Sequence, residues 1–299
     1  MEAVHHADAS QQWPNSKRSA RDRLIEALPV TERRLSLNGV GTAVLEGGDG
    51  EPIVLLHGPG AYGAQWIEVI PRLATNYRVI APDLPGHGDS GFFDGAPHPE
   101  QVCAWLDDLI ECTCAGPPVL VGHTLGGAIA ARYAADNGNR LSALVLVDSL
   151  GLTTFQPAPR FGIALRAFLG EPSDHNHDEL WSQCVHDVDA VKLRLGERWA
   201  LIKEYNLAGV RKSEGMMALI AWMEHFGIPE VPAAMLERIE VPTTLIWGRN
   251  DRATPLAVAK QVHARYGWPL HVIDDAADDP TIEQPEAFVA TLRRALGAS

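Results

Sequence analysis

The stretch "VGHTLGG", residues 121–127, joins the apolar run "PPVLVGH" (117–123) to the Ala-rich run "LGGAIAARYAADNG" (125–138). A run of apolar residues leading directly into a helical stretch, with Gly122-x-Thr124-x-Gly126 at the joint, predicts a sharp strand–turn–helix elbow. Glycines on either side leave room where strand and helix cross closely. The residue such a turn presents is Thr124, whose hydroxyl is a potential nucleophile or a hydrogen-bonding anchor.

The same rhythm extends in both directions. "PIVLLHG" (52–58), "YRVIAPDLPGHGDS" (77–90) and "LSALVLVDS" (141–149) each open with a short apolar run, and "PEQVCAWLDDLIECT" between them has helical spacing at Val102, Trp105, Leu106, Leu109 and Ile110. Strands apolar on both faces and separated by helices predict a mostly parallel sheet with helices on its two sides. Upstream, "RRLSLNG" and "GTAVLEGG" read as a hairpin turning at Asn38-Gly39. The alternation stops after Ser149, and residues 150–235 carry helical patterns only. It resumes with "VPTTLIWGRND" (241–251), a helix from about Pro255, "PLHVID" (269–274) and a final helix from about Glu283. The predicted organisation is a loose amino-terminal segment (1–30), an α/β core (31–149 and 236–299) and an inserted helical cap (150–235).

Bulk properties narrow the function classes. The 299 residues carry a net charge of −13 with no basic cluster, which disfavours nucleic acid and anionic membrane partners. No run of about 18 apolar residues occurs, so a cytoplasmic location is expected. The four cysteines form no C-x-x-C pair and read as free thiols, with disulfides the lesser alternative. Nothing implies a metal or other cofactor. The expected partner is a small-molecule substrate; the sequence is silent on oligomeric state. Histidines in polar stretches (His5, His6, His98, His175, His177) are expected at the surface.

Five motifs in order resemble the α/β-hydrolase superfamily, in its cap-bearing branch, from about residue 31 to 296: "HGPG", "DLPGHGDS", "GHTLGG", "WGRND" and "EQPEAF". The resemblance implies an eight-stranded, mostly parallel sheet with a helical cap. It also implies a nucleophile, an acid and a histidine in that chain order. By position these are Thr124, Asp251 (with Asp148 the usual alternative acid) and a residue between the eighth strand and "EQPEAF". Three departures stand out. Threonine replaces the expected serine. Asp278 stands at the histidine position, with Asp279 beside it, and His271 lies inside a strand too early to substitute. In the oxyanion loop of Gly58, Pro59 and Gly60, the expected donor is Pro59, which has no N–H; Gly60 is the substitute and Leu125 the second donor.

An alkoxide needs a base and a donor pair, so these replacements argue against acyl hydrolysis. Asp251 with Asp278 is instead expected to form a carboxyl pair of raised proton affinity, suited to proton transfer in a cyclisation, elimination or isomerisation. The alternatives are a weak hydrolase in which a cap histidine, His186 or His225, serves Thr124, and a binding protein without catalysis. In that last case Asp278 and Asp279 would be solvated loop carboxylates. Expected pocket residues further include His123 beside the elbow, and Trp181, Trp199, Tyr205, Trp222, Met223 and Phe226 from the cap.

Overall fold

A computed structural model describes residues 18–297 of the chain. Eight strands form one sheet: β1 (Thr31–Leu37), β2 (Val40–Gly47), β3 (Glu51–Leu56), β4 (Tyr77–Pro82), β5 (Val119–His123), β6 (Ala143–Val147), β7 (Thr243–Gly248) and β8 (Leu270–Ile273). Their spatial order is β1-β2-β4-β3-β5-β6-β7-β8. The β1/β2 and β2/β4 pairs are antiparallel and the other five parallel. This is the fold that the resemblance implies. The β1/β2 hairpin turns at Asn38 (φ 45°) and Gly39 (φ 78°). Positive φ at both central residues of a two-residue loop matches the right-handed twist of the strands.

The sequence pattern explains the layering. Strands β3 and β5 bury nearly every side chain, because helices cover the sheet on both faces. Packed against it, helix Pro99–Thr113 buries Val102, Trp105, Leu106, Leu109 and Ile110, the stripe read from its spacing. The chain crosses from β6 to β7 through helices Pro159–Gly170, Asp174–Cys184, Val188–Leu195, Glu197–Arg211 and Ser213–Trp222. A π-helical turn, Met223–Gly227, follows them. All four cysteines are free thiols. Among the described residues, no helix is long and apolar enough to cross a membrane.

Two expectations need correction. The expected loose tail of residues 1–30 falls partly outside the described residues, but its later part is ordered. Ser19 caps a short helix, Ala20–Ile25, by a reciprocal bond with Asp22, a capping box in the sequence itself. That helix packs on Glu197–Arg211 and buries Arg21, which pairs with Asp83 at 2.7 Å. His177 is likewise no surface residue: it is fully buried, its ring between Phe168, Trp181 and Trp199. One helical face carries it inward, where its ring nitrogens meet Asp178 and Asn206 at 3.1 and 3.2 Å. His5 and His6 lie outside the described residues.

Candidate active site

The elbow is as tight as the glycines suggest. Thr124 holds φ 46° and ψ −107°, a costly conformation for a β-branched residue. It is held because Thr124 N–H bonds Val147 O at 2.9 Å and its carbonyl accepts from Gly127, Ala128 and Leu150. A Cβ at Gly122 would lie 2.3 Å from Gly126 O, and one at Gly126 would lie 2.3 Å from Leu56 O. Only glycine allows helix Leu125–Asn137 to leave the sheet at this angle.

A cavity of about 240 Å³ with mostly apolar walls lies above the elbow, small beside ordinary ligand sites. Gly58, Pro59, Gly60, His123, Thr124 and Asp278 line its sheet side. The helical segment between β6 and β7 closes it with Phe168, Trp181, Leu219 and Met223. Thr124 is 6% exposed, yet its hydroxyl oxygen is enclosed and has no hydrogen-bond partner among the described residues. That oxygen would sit 2.4 Å from a Cβ at Gly58, so it is tucked against Gly58. No base reaches it. Pro59 is explained by turn chemistry: with Gly60 at φ 70° and Ala61 N bonded to Gly58 O, residues 58–61 have the Pro-Gly form of a type II turn. The N–H of Leu125 opens the elbow helix, where no preceding turn accepts it.

Below Asp278 lies a group of carboxyls. Asp148 Oδ1 accepts from Gly248 N at 2.8 Å, and Asp251 Oδ1 accepts from Ala253 N and Thr254 N at 2.8 and 2.9 Å. The second oxygen of each is buried and unpartnered. Asp148 and Asp251 lie close enough for each to act on the other's proton affinity, and one proton shared between the two orphan oxygens would satisfy both. The sequence expected a pair of Asp251 with Asp278; the structure adds Asp148 as a third buried carboxyl under the influence of Asp251. Burial raises Asp251 to about 7, against the pull of the Thr254 and Ala253 amides. Burial, then the Asp251 charge, holds Asp148 well above the carboxylate range. The same two causes, followed by Asp279 and Glu283, act on Asp278. Burial also lifts Glu283 to about 8, although the amides of His186 and Ala277 oppose it. Asp279 is not solvated: it is 4% exposed and accepts from Gln65 and Thr281.

The cap histidines do not reach the site. His186 is half-exposed, 3.8 Å from Asp275, and His225 is exposed with its ring against His98. Neither lines the cavity, which removes the base that a Thr124 hydrolase would need from them. Trp222 is also misplaced by sequence reasoning. It is 1% exposed, donates to Pro85 O at 2.8 Å and packs on Phe226 as core. Trp181 and Met223 do line the cavity, whereas Trp199, Tyr205 and Phe226 do not. His57 accepts from Leu84 N at 2.9 Å, and burial drives its proton affinity well below the imidazole range. It braces the loops as a neutral ring. Sequence reasoning missed Gln65, which lines the cavity and belongs to no motif. It passed over Glu283 too, although "EQPEAF" contained it.

Comparison with known proteins gives a consistent picture. The chain matches the model described as "Alpha/beta hydrolase family" over residues 53–291. It is 29% identical over 254 residues, 81% of this chain and 91% of the relative, to a pimeloyl-[acyl-carrier protein] methyl ester esterase of Neisseria meningitidis serogroup B. It is 28% identical over 274 residues, 87% of this chain and 89% of the relative, to the 2-hydroxy-6-oxo-6-(2'-aminophenyl)hexa-2,4-dienoic acid hydrolase of Metapseudomonas resinovorans. The solved 2-hydroxy-6-oxo-6-phenylhexa-2,4-dienoate hydrolase of Rhodococcus sp. strain RHA1 superposes with a TM-score of 0.77 at 25% identity, covering 90% of this chain and 99% of that one.

Proposed function

We propose that this chain, which belongs to the alpha/beta hydrolase family, is an enzyme that transfers protons on a small, mostly apolar molecule without acyl transfer to Thr124. The reaction class is isomerisation, elimination or cyclisation. One observation carries the reading: Thr124's hydroxyl is enclosed and unpartnered while Asp278 stands on the cavity wall. An enclosed hydroxyl without a base is a poor nucleophile. A carboxyl of raised proton affinity donates to a substrate oxygen in one step and accepts from carbon in the next, acting near neutral pH. The mostly apolar walls strengthen any hydrogen bond Asp278 makes to the substrate. Asp148 and Asp251 beneath act as a proton-holding support.

The relatives favour a second reading, hydrolysis, because their names are those of an esterase and of hydrolases of substituted 2-hydroxy-6-oxohexa-2,4-dienoates. In that case Asp278 would activate water directly. The two readings part on a single compound, 2-hydroxy-6-oxo-6-phenylhexa-2,4-dienoate, the substrate that the Rhodococcus enzyme's name gives. Incubated with the protein in heavy water, it should take up deuterium beside its 6-oxo group, as read by mass spectrometry, with the chain intact. Release of benzoate, the acid that hydrolysis of the 6-oxo-6-phenyl end would free, contradicts proton transfer as the whole reaction.

A further inference from the structure

Gln65 sits in the short 3₁₀ turn Gly63–Trp66 after β3 and lines the cavity. Its Nε2 lies 3.0 Å from Asp279 Oδ2 and 3.5 Å from His123 Nδ1. A carboxylate only accepts, so Asp279 fixes which way the amide faces. His123 Nε2 in turn lies 2.5 Å from the carbonyl oxygen of Asp278. A carbonyl also only accepts, so His123 carries its proton on Nε2 and leaves Nδ1 to accept from Gln65. The two protons of one amide therefore serve Asp279 and His123. On the other side, Asp278 N donates to Cys184 O at 3.0 Å.

We infer that Gln65 is a positioning residue for Asp278: acting through His123 and Asp279, it fixes the peptide from which the Asp278 carboxyl meets the cavity. The inference rests on the reading of Asp278 as the working acid–base group. Gln65 acts through its two neighbours and not on the reacting atoms. A neutral double donor suits the place. Asp278 already faces Asp251 and Arg252 from the loop after β7, Asp148 from the end of β6, Asp279 beside it and Glu283 from the short helix Pro280–Glu283 that follows, Cys184 from the helical segment and His123 from the elbow. A lysine there would neutralise part of that charge, and a glutamate would add to it; glutamine holds the geometry and leaves the charge alone.

The direct test is nitrogen NMR of His123 in Gln65→Leu, with Gln65→Glu, which keeps the shape and loses the donor, should the first variant fail to fold. The wild-type ring should be one tautomer, protonated on Nε2. In the variants the ring should keep that tautomer, which the Asp278 carbonyl still fixes, while the Nδ1 resonance shifts away from its wild-type position because nothing then donates to it. An unchanged His123 signature overturns the clamp. In the deuterium-uptake assay, Gln65→Leu should lower kcat about 10-fold with KM within about 2-fold, and Gln65→Leu/Asp278→Asn should be no slower than Asp278→Asn alone. If Asp278→Asn is inactive while Gln65→Leu matches wild type, the positioning role falls and the Asp278 reading stands. If Asp278→Asn keeps full activity, the Asp278 reading falls, and the positioning role with it.

Discussion

At Thr124 the backbone is strained (φ 46°) and the hydroxyl is buried without a partner. Serine at that position restores the elbow's usual residue but supplies no base. Thr124→Ser should therefore remain unlabelled by a serine-directed fluorophosphonate, as the wild type should; labelling of either would restore a covalent mechanism. Asp148 makes a second residue-scale prediction. Its backbone sits at φ 44°, a conformation asparagine tolerates. Asparagine would also keep an oxygen for Gly248 N and offer an NH₂ to the orphan oxygen of Asp251. Asp148→Asn should thus raise the melting temperature above pH 7, where the wild-type pair must give up its shared proton. An unchanged or lower value there would mean that the two orphan oxygens do not depend on each other. Thr124 and Asp278 were legible because motif spacing fixes their positions. Gln65 was not, because its partners lie 58 and 214 residues away and no local pattern announces them.

Among the elements, the short helix Ala20–Ile25 has an outsized effect. Arg21 is 3% exposed and pairs with Asp83, which is fully buried. Asp83 in turn accepts from Gly63 N and Asp89 N, tying the loops after β3 and β4 together. Removing the guanidinium leaves that carboxylate buried and uncompensated, a loss of about 3–5 kcal/mol. Arg21→Met should lower the melting temperature steeply and speed hydrogen exchange in Glu197–Arg211, the helix against which Ala20–Ile25 packs. Protection there equal to wild type would refute the coupling. The capping box was visible in the sequence, but a six-residue helix has too little periodicity to register, and its ion pair spans 62 residues. The strands and the long helix Pro99–Thr113 were readable because burial on a regular element imposes a period.

Across the whole molecule, the sheet gathers the ends of β3, β5, β6, β7 and β8 beneath one cavity, and with them the acidic residues of three separate loops. This convergence follows from strand order, which the motif sequence made legible. The depth of each cap side chain did not, which is why His177, Trp222 and the two cap histidines were misjudged. Gathering carboxyls has a pH consequence. Asp251, at about 7, and Glu283, at about 8, bind protons more tightly folded than in the unfolded chain, where carboxyls titrate near 4. The folded state therefore holds more protons, and stability must fall as pH rises through that range. Thermal melts should show a drop that begins near pH 4 and levels off above about pH 8, shallower in Asp148→Asn; a flat profile would mean that the cluster is ionised throughout. The central claim is that Asp278 does the chemistry, and deuterium uptake by 2-hydroxy-6-oxo-6-phenylhexa-2,4-dienoate tests it in wild type and Asp278→Asn side by side. The variant should lose about 100-fold or more of the exchange rate while binding the compound with similar affinity. Exchange at the wild-type rate in Asp278→Asn would contradict it.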